Sequence, residues 1–181
     1  MRVIAGKLKG HQLVSFSADH VRPTTDRVKQ SIFNKVAAHV DGGRVLDLYS
    51  GTGSLAIEAH SQGALAVTAV ESHPKSVQII KENLKKLKIE KEIQVISIDV
   101  FKSLSRFSGE AFDLVLVDPP FTRKLAHETL LAIMSSKVLK PGSVVVVEAS
   151  SHETVEDSYP PLQLIDRRDY GDKKISFFAC P

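Results

Sequence analysis

From residue 44 to residue 148, short apolar runs alternate with stretches whose apolar residues recur at helical spacing. The runs cover residues 44–49, 67–71, 93–98, 114–118 and 143–148, the last nearly all valine. Between them, residues 54–61 form a short helical segment. Residues 74–87 carry Val77, Ile80, Leu84 and Leu87 on one side, and 124–138 carry Leu130, Met134 and Val138. A strand buried on both faces reads as a continuous apolar run, whereas a helix repeats every 3.6 residues. Strands and helices in alternation restrict a chain to a mostly parallel sheet covered on both sides. Two later runs, 162–168 and 174–179, flank Tyr170-Gly171-Asp172 and read as an antiparallel pair at the end of that sheet. The expectation is an α/β fold of seven strands with an antiparallel last strand.

Ahead of this core, residues 2–5 and 11–14 are set to pair as a hairpin framed by Gly6 and Gly10. A helix follows Arg22-Pro23-Thr24-Thr25-Asp26, capped by Thr or Asp, with Val28, Ile32 and Val36 on one stripe and Gly42-Gly43 as its stop. The 181 residues suit one domain, with residues 1–40 as an extension on a 44–181 core. Cys180 is the single cysteine, which excludes an internal disulfide. No apolar run approaches the roughly 20 residues of a membrane span, and no secretory stretch opens the chain, so a cytoplasmic protein is expected. The seven histidines show no metal-ligand spacing, so no metal is expected, and no Gly-x-Ser-x-Gly elbow points to a serine hydrolase.

Charge is uneven. The whole chain carries +3. Residues 1–35 hold Arg2, Lys7, Lys9, Arg22, Arg27, Lys29 and Lys35 against Asp19 and Asp26, a local +5 that leaves −2 for the rest. A basic segment on a near-neutral body is the footprint of a polyanion binder. Lys7, Lys9, Arg22, Thr25 and Arg27 are its candidate contacts.

Two motifs sit where strands end, the edge at which open α/β sheets bind ligands. In Asp47-Leu48-Tyr49-Ser50-Gly51-Thr52-Gly53-Ser54-Leu55-Ala56 the chain leaves a strand and enters a helix through two glycines that allow close ligand approach. Glu71, twenty residues after Gly51, ends the next strand, where a carboxylate can accept from ribose hydroxyls. Gly51-x-Gly53-x-x-Ala56 with Glu71 also satisfies the dinucleotide fingerprint. Against a dinucleotide, Asp47 would stand beside a pyrophosphate, and about forty residues precede the motif. The charge of Asp47 suits a cationic ligand, or a loop pinned by backbone N–H groups. Asp99, closing the third strand, serves either an adenine amine or a helix cap. The second motif is Asp118-Pro119-Pro120-Phe121. Two prolines stiffen a turn, remove two N–H donors and aim carbonyls with one carboxylate at a common point. Such acceptors fit the exocyclic amine of a nucleobase, with Phe121 to stack on its ring.

Asp47 to Ala59, Val70-Glu71 and Asp118-Pro-Pro-Phe resemble the S-adenosylmethionine-dependent methyltransferases. Arg2-Val-Ile-Ala-Gly-Lys-Leu-Lys-Gly-His-Gln-Leu13 and Arg22-Pro-Thr-Thr-Asp-Arg-Val-Lys-Gln-Ser-Ile-Phe-Asn34 are similar to the RsmD type, which methylates the N2 amine of a guanine in bacterial 16S rRNA. Where relatives often carry Trp and Arg in the first segment, this chain has Leu8, Lys9 and His11. The resemblance implies a Rossmann-like methyltransferase fold. It implies adenosylmethionine over Asp47, Tyr49, Gly51, Gly53, Glu71 and Ser72, with Asp99 and Val100 near the adenine. It puts the target guanine beside Asp118, Pro119, Pro120 and Phe121, in a monomer that acts on the assembled or partly assembled small ribosomal subunit. A DNA adenine-N6 or cytosine-N4 methyltransferase and a non-catalytic RNA-binding assembly factor are the alternatives.

Overall fold

The computed structural model describes residues 1–15, 25–107, 109, 111–120 and 125–181. The five apolar runs become β1 (Arg44–Leu48), β2 (Ala66–Val70), β3 (Ile93–Ile96), β4 (Phe112–Val117) and β5 (Leu139–Ser150). The helices are α1 (Asp26–Val40), α2 (Ser54–Ser61), α3 (Pro74–Leu87), α4 (Val100–Leu104) and α5 (Ala126–Met134). Three strands follow: β6 (Ser158–Tyr159), β7 (Leu162–Tyr170) and β8 (Lys173–Ala179). All seven expected strands form, and the two-residue β6 adds an eighth. The order across the sheet is β3-β2-β1-β4-β5-β8-β7-β6, with β1 to β5 parallel and β8 antiparallel to both β5 and β7.

The last strand is antiparallel as expected; it lies between β5 and β7, and the two-residue β6 forms the edge. Burial explains this order. Ile175, Phe177 and Phe178 of β8 are fully buried, so both faces of that strand are apolar. Strand β7 carries four successive charged residues, Asp166 to Asp169, and keeps Gln163, Ile165 and Asp169 exposed, as a strand near the rim can. Strand β5 starts at Leu139 rather than residue 143. A register shift between the Phe112 and Leu114 pairs absorbs Pro141-Gly142 as a bulge. Helix α5 ends at Met134, short of Val138, where Ser135 Oγ and Ser136 Oγ donate to the carbonyls of Leu131 and Ile133 and compete with the helix.

Side chains alternate between two apolar layers. Val45, Leu114, Leu116, Val144, Val146, Ile175 and Phe177 join residues of α1, α2 and α3 on one face. Leu46, Leu48, Val115, Val117, Val145, Val147 and Phe178 join residues of α4 and α5 on the other. At the carboxyl ends of the strands, Asp47, Asp118 and Glu148 continue the first face.

Residues 1–15 pack against that first face as well. The expected hairpin is reduced to one antiparallel bridge, Arg2 with Gln12, around a 3-10 turn at Gly6–Leu8. Val3 N still donates to the His11 carbonyl (3.0 Å) and Leu13 N to that of Met1 (3.0 Å). The ladder stops because the amides of Ile4, Ala5 and Leu8 turn away to Glu58 and Ser61 of α2. Gly6 comes so close that a Cβ there would lie 1.8 Å from the Ser61 carbonyl oxygen. Helix α2 is therefore covered on both sides, which is why Glu58, His60 and Ser61 are buried with its apolar residues.

Candidate cofactor and nucleic-acid site

Strands β1, β2 and β3 step one way across the sheet, while β4 and β5 step the other way. The crevice between the ends of β1 and β4 is the topological switch point, the place where such sheets bind ligands. The glycine loop leaves β1 on one side of it, and Asp118-Pro119-Pro120 leaves β4 on the other. In register, Leu48 pairs with Val117, so Tyr49 and Asp118 are the next residues outward.

The loop is held by carboxylates. Asp47 is fully buried, and its Oδ2 accepts from Ser50 Oγ (2.6 Å) and from the Ala56 amide (3.1 Å). Its other oxygen is buried with no partner among the described residues. Burial pushes the Asp47 carboxyl up to about 7. Its two hydrogen bonds oppose the rise, and the Glu71 charge adds to it. Of the two sequence readings, loop pinning is thus seen directly, and the unpartnered oxygen leaves one acceptor for a cation. Glu71 accepts from the Gly51 amide (2.8 Å) and the His73 amide (2.7 Å), so it ties the glycine loop to the turn after β2. Gly53 caps α2 at φ +81, and a Cβ there would touch the Ile80 side chain at 3.4 Å. A Cβ on Gly51 would meet only the Tyr49 carbonyl at 3.9 Å, so its Cα borders open space. An acceptor without a donor and an uncrowded glycine backbone fit a ligand with a cationic tail and a flat, polar remainder.

The other expected residues divide. Tyr49 takes φ +63 and its hydroxyl bonds Thr129 Oγ1 of α5 (2.8 Å), which fixes the ring between the loop and that helix. Ser72 is exposed beside Glu71. Asp99 caps α4, accepting from the Lys102 amide (3.2 Å). Val100 is buried in the second layer, with its side chain packed in the core beside the Asp99 cap. Asp118 is half-buried, Pro119 buried and Pro120 exposed. Phe121 and Arg22 lie outside the described residues. Thr25 caps α1, with its Oγ1 accepting from the Val28 amide (3.4 Å), while Lys7, Lys9 and Arg27 are exposed.

One cation of the basic segment is not on the surface. Lys29 is fully buried and pairs with Glu58 at 3.0 Å. Its ammonium also donates to the Arg2 carbonyl (2.6 Å) and Ser54 Oγ (3.3 Å). Glu58 in turn accepts from the amides of Ile4 and Ala5, both at 2.9 Å, and from Gln62 Nε2 at 2.8 Å. The local +5 therefore overstates the charge available to a polyanion. Arg2 is paired with Asp26 (2.8 Å) and Lys35 with Asp166 (3.2 Å), which leaves Lys7, Lys9 and Arg27 as the more open cations of the segment among the described residues. Asn83 was not singled out in the sequence either. Its Nδ2 donates to the carbonyls of Val14 and Thr52, each at 3.0 Å, and its Oδ1 accepts from the Val14 amide (2.7 Å). Asn83 and the Lys29–Glu58 pair thus tie the basic segment to the glycine loop. A short-range signal for them does not exist, because a polar residue in a helix ordinarily reads as solvated.

Residues 1–179 match the family model described as Conserved hypothetical protein 95, the RsmD family. The chain belongs to the RsmD family. Over 180 residues it is 34% identical to YlbH of Bacillus subtilis, covering 98% of each chain. It is also 34% identical over 152 residues to Ribosomal RNA small subunit methyltransferase D of Haemophilus influenzae, covering 82% of this chain and 78% of that one. The solved structure of yhhF from Escherichia coli superposes with a TM-score of 0.88 at 28% identity, covering 99% of this chain and 97% of the other. RsmD-family membership and the eight-stranded sheet agree on a methyltransferase fold. No helix among the described residues is long and apolar enough to cross a membrane.

Proposed function

We propose that this RsmD-family chain transfers a methyl group from S-adenosylmethionine to the exocyclic N2 amine of a guanine in 16S rRNA, within the small ribosomal subunit. The observation that carries the reading is the pairing of two motifs across one switch point: a glycine loop with a buried, half-satisfied Asp47, and Asp118-Pro119-Pro120 at the end of β4. Membership of the family and the names of relatives such as the Haemophilus influenzae small-subunit rRNA methyltransferase support it.

Adenosylmethionine supplies an electrophilic methyl group on a sulfonium. The residues that would hold it are Asp47, through its unpartnered oxygen, the backbone at Gly51 and Gly53, and Glu71 and Ser72 at the end of β2, with Asp99 toward the adenine. On the other side, Asp118 and the Pro119 carbonyl accept the two N–H groups of the amine and fix the direction of its lone pair. The nitrogen is a weak nucleophile, and positive charge grows on it during transfer. An oriented carboxylate stabilises that charge without reorganising, and as the N–CH3 bond forms and the S–CH3 bond breaks the proton shed by the amine leaves toward the Asp118 carboxylate that already accepts its N–H. The guanine must leave its stack, which costs roughly a few kcal/mol, and Phe121 is assigned to receive its ring. Residues 1–40 are the RNA-binding extension, with Lys7, Lys9 and Arg27 on phosphates. The test is mass spectrometry of rRNA from a strain lacking the gene, with the purified protein added back to its small subunits. Loss and restoration of one N2-methylguanine in 16S rRNA is expected. Methylation of DNA, or unchanged rRNA, overturns the assignment.

A further inference from the structure

Asn83 stands among Ile80, Leu84 and Leu87 on the buried side of α3 and is wholly shielded from solvent. Its planar amide faces two segments that serve different ligands in the function proposed above. On one side it binds both backbone groups of Val14, near the end of residues 1–15. The Val14 amide donates to Oδ1 (2.7 Å), and the Val14 carbonyl accepts from Nδ2 (3.0 Å). On the other side Nδ2 donates its second N–H to the Thr52 carbonyl (3.0 Å). Thr52 lies between Gly51 and Gly53, whose φ values are +58 and +81. Peptides next to glycine turn over at little steric cost, so hydrogen bonds must fix their plane. For the Thr52–Gly53 peptide these are the bond to Asn83 and that of the Gly53 amide to the Ser50 carbonyl (2.8 Å).

One amide thus holds the rRNA extension and the cofactor loop at the same time. Both of its N–H groups are used, and a buried N–H left without an acceptor is costly, so the two contacts depend on each other. If Val14 withdraws, the amide must turn or admit water, and the Thr52 carbonyl loses the donor that sets the loop. Two further contacts run alongside. Thr52 Oγ1 donates to Met1 Sδ (3.4 Å), and the Lys29 ammonium joins the Arg2 carbonyl (2.6 Å) to Ser54 Oγ (3.3 Å). We propose that Asn83 is a positioning residue that couples the two sites. Ribosomal RNA held by residues 1–15 favours the loop arrangement that accepts the cofactor, and bound cofactor favours the extension arrangement that accepts RNA. Linkage makes the effect reciprocal, with one factor for both directions. The coupling rests on the rRNA reading above.

The test is filter binding to small subunits from a strain lacking the gene, with and without saturating S-adenosylhomocysteine, which requires no turnover. The wild type should bind at least about five-fold more tightly with it, the low end of couplings between sites. Asn83→Ala should bring that ratio close to unity. A purely structural role would weaken both arms alike and leave the ratio as it was. A ratio kept by Asn83→Ala, or a wild-type ratio near unity, therefore overturns the proposal. Hydrogen exchange on the wild type, without RNA, decides the matter if the variant does not fold. S-adenosylhomocysteine should slow exchange in residues 11–15 as well as in 50–56. Protection confined to 50–56 overturns the coupling alone. Absent protection at 50–56 overturns the cofactor reading, and subunits that the wild type does not bind overturn the rRNA reading, each taking the coupling with it.

Discussion

Replacing Lys29 by Met removes a buried charge while keeping most of the side-chain volume. Both Lys29 and Glu58 are wholly shielded from solvent and lie 3.0 Å apart. Deleting one partner of such a pair costs about 3–5 kcal/mol, because the other charge stays buried without its counterpart. Glu58 keeps three donors after the change, the amides of Ile4 and Ala5 and Gln62 Nε2, so the cost belongs at the low end, about 3 kcal/mol. At roughly 2–4 °C per kcal/mol for a chain of this size, the melting temperature should fall by about 6–12 °C. Glu58→Gln should be worse. One amide oxygen cannot serve both backbone donors, its NH2 group meets an N–H, and the Lys29 ammonium loses its anion. The double variant should lose less than the two single losses added, since neither charge remains unpaired. Thermal unfolding followed by circular dichroism gives the magnitudes, and trypsin gives the location, because cleavage after Lys7 and Lys9 should accelerate once residues 2–5 lose their anchor. A fall of less than about 2 °C for Lys29→Met, or unchanged trypsin sensitivity, would show that the pair does not hold the segment.

Four shorter expectations concern the site. The Asp47 carboxyl, pushed up to about 7 from 3.8, keeps a proton that the unfolded chain has already released, so the ligand-free protein should lose stability as pH rises across that window and no further above it. Asp47→Asn should remove this slope, seen in melting temperatures from pH 4 to 8, and should weaken adenosylmethionine binding in calorimetry; a slope unchanged by the substitution refutes the assignment. Asp118→Ala should abolish most methyl transfer while cofactor affinity stays near wild type, and wild-type turnover would remove Asp118 from the chemistry. Gly53→Val should block cofactor binding, since φ +81 excludes a branched side chain and the added bulk meets Ile80; calorimetry showing wild-type affinity would contradict this. Lys7→Ala with Lys9→Ala should weaken subunit binding and reduce the slope of log affinity against log salt by up to about two, and equal affinities and slopes by filter binding would make the segment a mere solubilising surface.

Periodicity and local chemistry carried much of this molecule. Buried strands and amphipathic helices write their pattern into neighbouring residues, so β1 to β5, the exact spans of α2 and α3, the Thr25 cap and the glycine loop are readable without coordinates. Asp47 and Asp118 are readable for the same reason: each stands at a fixed offset from a strand end, and strand ends are where such a sheet binds ligands. What tertiary structure decided are the properties set by partners distant in the chain. Lys29 in a helical stretch reads as a solvated cation until residues 1–15 fold over α2 and bring Glu58 to it. Asn83 acquires its role only when Val14 and Thr52 converge on it. The inward place of β8 depends on which strand has two apolar faces to bury, and α4 is too short to show a period. A cavity beside Tyr170 joins residues 25–28 to residues 169–173, and no local pattern connects segments so far apart because their contact is made only by packing α1 against the far side of the sheet.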